Sequence, residues 1–271
     1  MGVTPEFPAP AWLVGCGNMA GAMVAGWRRA GIDLAAVTAI RPSGTPVEGV
    51  RTLIAYPDQA PRLVMLGFKP QKLDEVASGL APHVGGETIL VSMLAGVDAA
   101  SLRDRFPAAR AIIRVAPNLP VAQRKGVIAL YSEDGDSMAR KIVEALMAAL
   151  GLAPWCEDEA AFSAIGAVAG SGPAYVARFA AALAQGGEGL GLGPDLAMAI
   201  AVQTLVGTGG MAEASGESMS ELARRVASPK GTTEEGLGVL DGDDGLQPLV
   251  DRMLAAAIRR SEELAAAARA I

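Results

Sequence analysis

A single histidine, His83, is all the imidazole this 271-residue chain possesses, so acid–base chemistry built on histidine has one candidate. Cysteine is nearly as scarce. Cys16 and Cys156 have no metal or disulfide spacing, which argues for no metal centre and a reducing cytoplasm. Aromatic residues make up only 4% of a chain that is 51% hydrophobic, so its core must be assembled from Ala, Val, Leu, Ile and Met. A basic surplus is missing too: the net charge of −6 argues against nucleic-acid binding. The N-terminus, with Pro5, Glu6, Pro8 and Pro10, does not read as a signal peptide. No run approaches the ~20 uninterrupted apolar residues of a membrane span. The best candidate, 160–184, is broken by Gly170, Gly172, Pro173 and Arg178, and is expected to be a buried helix of a soluble protein.

What is present is organised around residues 11–28. Ala11 to Val14 suit a short buried strand, and 19–27 continue with apolar residues at helical period. Between them Gly15, Gly17 and Ala20 fit the G-x-G-x-x-[GA] dinucleotide fingerprint. The first glycine permits the tight turn and the second lets backbone approach a pyrophosphate; the third small residue lets helix pack on strand. The helix N-terminus then offers free N–H groups and a positive dipole end to phosphate. Cys16, inside this turn, reads as a small filler rather than a nucleophile.

Gly31 should stop that helix, and 35–40 read as the second strand. Where an NAD site usually carries Asp or Glu, this chain has Arg41, Pro42 and Ser43. Arg41 suits a ribose 2′-phosphate through charge-assisted bonds, the plainer alternative being a solvated surface arginine. Further strands are expected at 52–55, 63–68, 88–93, 111–115, 126–131 and 153–156. Helices are expected at 72–80, 99–105 and 138–150. Strand alternating with helix is the pattern of a doubly wound sheet, and the loops after its strands are where ligands sit. Those loops carry Lys69-Pro70-Gln71, Leu94-Ala95-Gly96 and Ala116-Pro117-Asn118-Leu119-Pro120.

After Glu159 strand signals vanish and alanine-rich helical stretches take over. Ser171-Gly172-Pro173 reads as a helix start, and Pro194 opens another helix. The expected fold is α/β, a doubly wound Rossmann-type N-terminal domain over 1–158 followed by an all-α helical domain over 159–271. A second informative stretch is 226–235. Thr232 and Glu235 have capping-box spacing, so a helix should begin there with N–H groups left over for an anion such as a small carboxylate. A plain turn between helices is the competing reading.

Six segments in order resemble the pyrroline-5-carboxylate reductase family over nearly the whole chain. They are Gly15-Cys16-Gly17-Asn18-Met19-Ala20, Lys69-Pro70-Gln71, Ala95-Gly96, the Arg-x-x-Pro-Asn-x-Pro of 114–120, Gly-Ser-Gly-Pro-Ala-Tyr at 170–175, and Ser228-Pro229-Lys230-Gly231-Thr232-Thr233. The resemblance implies reduction of a cyclic imine, 1-pyrroline-5-carboxylate, to L-proline by NADPH, with NADH as a lesser possibility. It implies a homo-oligomer, at least an intertwined dimer. Backbone N–H groups of Gly231, Thr232 and Thr233, on the loop begun by Ser228, would hold the substrate carboxylate, and the Thr233 hydroxyl would bond the ring nitrogen. The glycine turn (Gly15, Gly17, Asn18, Met19, Ala20), Arg41, Ser43, Lys69, Pro70, Ala95 and Asn118 would hold the cofactor.

The chemistry suits what the chain lacks, because a protonated imine is already electrophilic and needs orientation more than a strong acid. The lone His83 is expected on the surface beside Gly85 and Gly86, and Lys230 is the only lysine after residue 156. Three departures stand out. Lys230 replaces a family glycine and is expected to face solvent, the sharper alternative being contact with the substrate carboxylate. Ala116 and Leu119 differ from the family's commoner Met and Thr. The segment 55–62 is short and lacks an asparagine near the adenosine, for which Tyr56 or Asp58 could substitute. Competing functions are a related NADP-dependent oxidoreductase acting on another imine or a 3-hydroxyacid, and a non-catalytic dinucleotide sensor.

Overall fold

The computed structural model describes residues 4–269; the outermost residues of the two expected domains, 1–3 and 270–271, lie outside the described residues. Eight strands form one sheet: β1 (Ala11–Val14), β2 (Val37–Ile40), β3 (Arg51–Leu53), β4 (Leu63–Leu66), β5 (Ile89–Ser92), β6 (Ala111–Pro117), β7 (Gly126–Tyr131) and β8 (Gly151–Leu152). Their order is β3-β2-β1-β4-β5-β6-β7-β8, parallel except for the β6–β7 pair. The residues between β6 and β7 are too few for a crossover, so the strand must return antiparallel. It does so through a 3₁₀ turn, Leu119–Gln123, closed by Arg124 in the left-handed region at φ +59°.

Successive side chains along each central strand serve different layers. Leu13, Met65, Val91 and Ile113 pack with α1 (Asn18–Arg29) and α4 (Ser137–Ala148) through Met23, Trp27, Val143 and Leu146. Trp12, Val14, Val64, Leu66, Leu90 and Ile112 pack with α2 (Leu73–Leu80) and α3 (Ala99–Arg105) through Leu73, Leu80 and Leu102. Both faces are therefore covered, which explains why the strands read as continuous apolar runs rather than alternating ones. This is the expected doubly wound, Rossmann-type arrangement. Gly31, at φ +73°, ends α1 as expected. The last strand is displaced from its expected place at 153–156: β8 is Gly151–Leu152, and only Trp155 bridges to Leu130.

α5 (Glu159–Ile165), capped by the Asp158 carboxylate, packs Phe162 on Ala129, Tyr131 and Cys156. A π-turn, Gly166–Gly170, carries the helix on into α6 (Ser171–Gly189). The chain divides into two compact units, Met1–Ser171 with Ile258–Ile271, and Gly172–Ala257.

The second unit is helical: most of α6, then α7 (Pro194–Ser215), α8 (Met219–Val226), α9 (Thr232–Leu240) and the first part of α10 (Leu246–Arg269). Its buried cluster consists of Ala184, Ala197 and Ala201, where α6 and α7 meet. The expectation of a buried helix at 160–184 is corrected here. Within the single chain the apolar runs Glu159–Gly189 and Pro194–Ser215 are mostly exposed, with Phe179, Leu183, Ile200 and Val206 outside. Side chains this apolar in the open require a cover that one copy does not supply.

Candidate active site

The sheet reverses direction of growth between β1 and β4, and at such a switch point the loops beyond the carboxyl ends part to leave a crevice. Two glycines meet at its base. Gly15 sits at φ +78°, and a Cβ there would lie 2.8 Å from the carbonyl oxygen of Gly67; a Cβ on Gly67 would lie 2.7 Å from that of Gly15. Neither position tolerates a side chain. Gly67, which sequence reasoning passed over, is legible only as a glycine directly following β4.

Gly17 is different. Its φ of −82° is ordinary, and a Cβ would meet nothing within 4 Å. Nothing in the protein demands glycine there, so the bare backbone faces open space. Gly17 is the N-cap of α1 with no side-chain cap, and the amides of Asn18, Met19 and Ala20 precede the first bond of the helical ladder, Gly21 N–H to the Gly17 carbonyl. Ala20 is buried against the sheet. Cys16 is buried as well, and burial pushes its thiol pKa up, opposed by the nearby Arg41 guanidinium; a thiol kept protonated is a filler.

Arg41 follows β2 and gives one N–H to the Thr45 carbonyl at 3.0 Å, leaving other donors of its fork for a ligand. The Ser43 hydroxyl accepts from the Thr45 backbone N–H at 3.3 Å and from its hydroxyl at 3.0 Å, ordering the same loop. Lys69 is exposed after β4, and Pro70 opens a 3₁₀ turn. Ala95 is exposed after β5, beside Gly96 at φ +76°. Asn118 is only 6% exposed at the end of β6. Its Nδ2 donates to the Ala169 carbonyl at 2.9 Å and its Oδ1 accepts the Val127 N–H at 2.8 Å, so the side chain braces the protein. All these residues lie in the first unit, at the carboxyl ends of β1, β2, β4, β5 and β6.

Ser228, Gly231, Thr232 and Thr233 come together in the second unit. The Gly231 N–H donates to the Ser228 carbonyl at 2.9 Å, which corrects its expected availability to an anion. The expected capping box between Thr232 and Glu235 is likewise absent: α9 is capped by Gly231 with no side-chain hydrogen bond. Thr232 is already inside the helix, so its hydroxyl is not placed to cap it. Glu234 instead reaches back to accept the Lys230 N–H at 2.5 Å. The amides of Thr232 and Thr233 thus stand in the first turn of a helix without a side-chain cap. A capping box does form one helix earlier, between Ser218 and Glu221, where Ser-x-x-Glu spacing was the available signal. Lys230 is exposed and sits at φ +57°, the left-handed region.

His83 is not a surface residue as expected. It is half-buried, edge-on to Trp12 with centroids 5.5 Å apart and 5.3 Å from Tyr56. Tyr56 in turn stacks on Trp12, so its ring serves packing, whereas Asp58 is exposed. Among the described residues no group of His, Cys, Asp and Glu could hold a metal.

Comparison with known proteins bears on both units. The pyrroline-5-carboxylate reductase dimerisation family matches residues 159–264. A pyrroline-5-carboxylate reductase of Pseudomonas aeruginosa is 36% identical over 266 residues, 93% of this chain and 96% of the relative. The chain belongs to the pyrroline-5-carboxylate reductase family. Among solved structures, the family's Coxiella burnetii enzyme shares 29% identity at a TM-score of 0.87, covering 95% of this chain and 98% of that one. The Plasmodium falciparum reductase, solved with NADP bound, matches in fold at 22% identity and a TM-score of 0.82, covering 96% and 99%.

Membership in this reductase family accounts for the uncovered helices, since α6 and α7 fall inside the dimerisation match. The protein is a homo-oligomer. The glycine that the sequence resemblance leads us to expect in place of Lys230 would suit the left-handed backbone that Lys230 occupies at φ +57°. Of the other departures, Ala116 packs against the cluster of Ala129 and Phe162, and Leu119 is exposed.

Proposed function

We propose that this chain reduces 1-pyrroline-5-carboxylate to L-proline with NADPH, the reaction of proline biosynthesis, in the cytoplasm. The observation that carries this reading is the near full-length match to a named pyrroline-5-carboxylate reductase at 36% identity. Dinucleotide binding is assigned to 1–158 and substrate binding and dimerisation to 159–271 of an intertwined dimer, although the compact units divide at Ser171 and group Ile258–Ile271 with the first. The two cysteines, both free, suit a reducing compartment.

The residues present fit the cofactor. The open side of Gly17 and the first amides of α1, at Asn18, Met19 and Ala20, receive the pyrophosphate. Arg41 and Ser43 take the ribose 2′-phosphate, and a charge-assisted pair worth roughly 1.5–3 kcal/mol favours NADPH over NADH about ten- to a hundredfold. Lys69, Pro70, Ala95 and the corner at Pro117 line the remainder, the Asn118 side chain being committed to Ala169 and Val127. When bound, NADPH supplies a hydride to the imine carbon.

The rest is orientation. Amides of Thr232 and Thr233 hold the carboxylate of the imine at the positive end of α9, on a loop shaped by Ser228 and Gly231. The Thr233 hydroxyl accepts a hydrogen bond from the protonated ring nitrogen, fixing which carbon faces the hydride. The C=N electron pair then settles on nitrogen, which keeps its proton, so no strong acid is required.

Oxidation of NADPH on adding pyrroline-5-carboxylate, followed at 340 nm, tests the proposal. Thr233→Val should lower kcat/KM at least tenfold while leaving the oligomer intact. Turnover of other cyclic imines or 3-hydroxyacids in place of this one would reject the substrate assignment, and no turnover of any would reject the enzyme.

A further inference from the structure

We propose that Asn118 is a positioning residue for hydride transfer, acting through the carbonyl of Ala169 rather than by touching the cofactor. The starting point is a defect in a helix. In an α-helix the Ala169 carbonyl would accept the N–H of the residue four places on, and that residue is Pro173, which has none. The proline ring also presses on the carbonyl four residues before it, and the helix widens into the π-turn Gly166–Gly170 at this point. A carbonyl is thereby turned out of the ladder and needs a donor from elsewhere.

Asn118 supplies that donor from 51 residues away, at 2.9 Å. Its amide has no freedom to turn: Oδ1 accepts the Val127 N–H at 2.8 Å, so Nδ2 must face Ala169. The backbone is held just as firmly, with Asn118 N–H on the Val127 carbonyl and Val121 N–H on the Asn118 carbonyl, each at 3.2 Å. Four residues earlier on β6, Arg114 makes a second tie. Its guanidinium donates to both carboxylate oxygens of Glu159, the first residue of α5, and lies 4.5 Å over the ring of Phe162. Arg114 and Asn118 are both buried. The two side chains clamp the helix from Glu159 to Ala169 onto the carboxyl end of β6, which fixes the π-turn as a wall beside the proposed nicotinamide corner.

This inference rests on the proposed reductase activity, and its test separates the two. Asn118→Asp keeps the shape and the acceptor for Val127 but replaces the donor to Ala169. In the full-length oligomer its NADPH dissociation constant, from quenching of nucleotide fluorescence, should stay within threefold of wild type. Its kcat should fall ten- to a hundredfold, with a larger primary deuterium isotope effect from 4-deuterated NADPH. Glu159→Gln, which weakens the other tie, should give the same pattern at smaller size. Without any nucleotide, amide hydrogen exchange at 166–172 should speed up at least tenfold in Asn118→Asp.

Unchanged kcat in folded Asn118→Asp overturns the inference. A rise in the NADPH dissociation constant matching the loss in kcat/KM does so too, because Asn118 would then line the cofactor directly. If wild type fails to reduce the imine, the functional proposal falls, and unchanged exchange at 166–172 would dispose of the clamp independently.

Discussion

Gly15 and Gly17 stand two residues apart in one fingerprint, yet they answer to different forces. Gly15 is required by the chain: its φ of +78° and the Gly67 carbonyl 2.8 Å from any added Cβ both forbid a side chain. Gly15→Ala should therefore destabilise the protein by about 2 kcal/mol or more, read as a lower denaturant midpoint at unchanged slope. Gly17 is required by nothing in the protein, so Gly17→Ala should keep an unfolding free energy within about 1 kcal/mol of wild type. It should weaken NADPH at least tenfold, measured by nucleotide fluorescence. A further residue is costly where it stands. Lys230 at φ +57° holds a conformation disfavoured by roughly 1 kcal/mol for a residue with a Cβ, so Lys230→Gly should raise the unfolding free energy by about that much, read from denaturation at fixed protein concentration.

At the scale of elements, sequence periodicity located the strands because both faces of a parallel sheet are buried. β7 matches its expected limits, 126–131, and α3 matches 99–105. The boundaries that moved did so where tertiary contacts outweigh local pattern. β8 gave way because a single Trp155–Leu130 bridge follows Leu152, and the π-turn before Pro173 stands because the Ala169 carbonyl finds its donor 51 positions away in Asn118. No local window contains Asn118 and Ala169 together. The glycine turn and the loops of the sheet were legible, since each uses residues that only a tight turn needs. The capping arithmetic misled at α9, where Ser-Pro-Lys-Gly ends the approach one residue early and makes Gly231 the cap.

The genuine box, Ser218 with Glu221, carries a pH signature. Hydrogen bonds from the Ser218 hydroxyl and N–H hold the Glu221 carboxyl below its ordinary value of 4.5. A lowered folded pKa contributes stability that is complete above the unfolded value and lost as pH falls through the folded one. The loss should therefore set in below about pH 4.5. Ser218→Ala should cost about 1 kcal/mol near neutrality and flatten this part of the acid profile, measured by denaturation between pH 3 and 7.

The whole molecule is asymmetric in where its apolar surface lies. The sheet unit hides Trp12, Trp27 and Phe106 completely, whereas α6 and α7 leave Phe179, Leu183, Ile200 and Val206 in the open. Val206, 63% exposed on a helix within the dimerisation match, is a site where charge opposes association without disturbing a core of its own chain. Val206→Arg should shift the protein from oligomer to monomer by light scattering and lower activity in proportion.

A fold whose two long helices keep most of their apolar side chains outside until a partner covers them has a melting behaviour that depends on how much protein is in the tube. Dilution removes the partner and with it most of the apolar burial available to α6 and α7, while the sheet keeps both of its covered faces. Heating a dilute sample should therefore unravel the helices first and leave the Rossmann layer standing, and a tenfold more concentrated sample should close the gap between the two transitions.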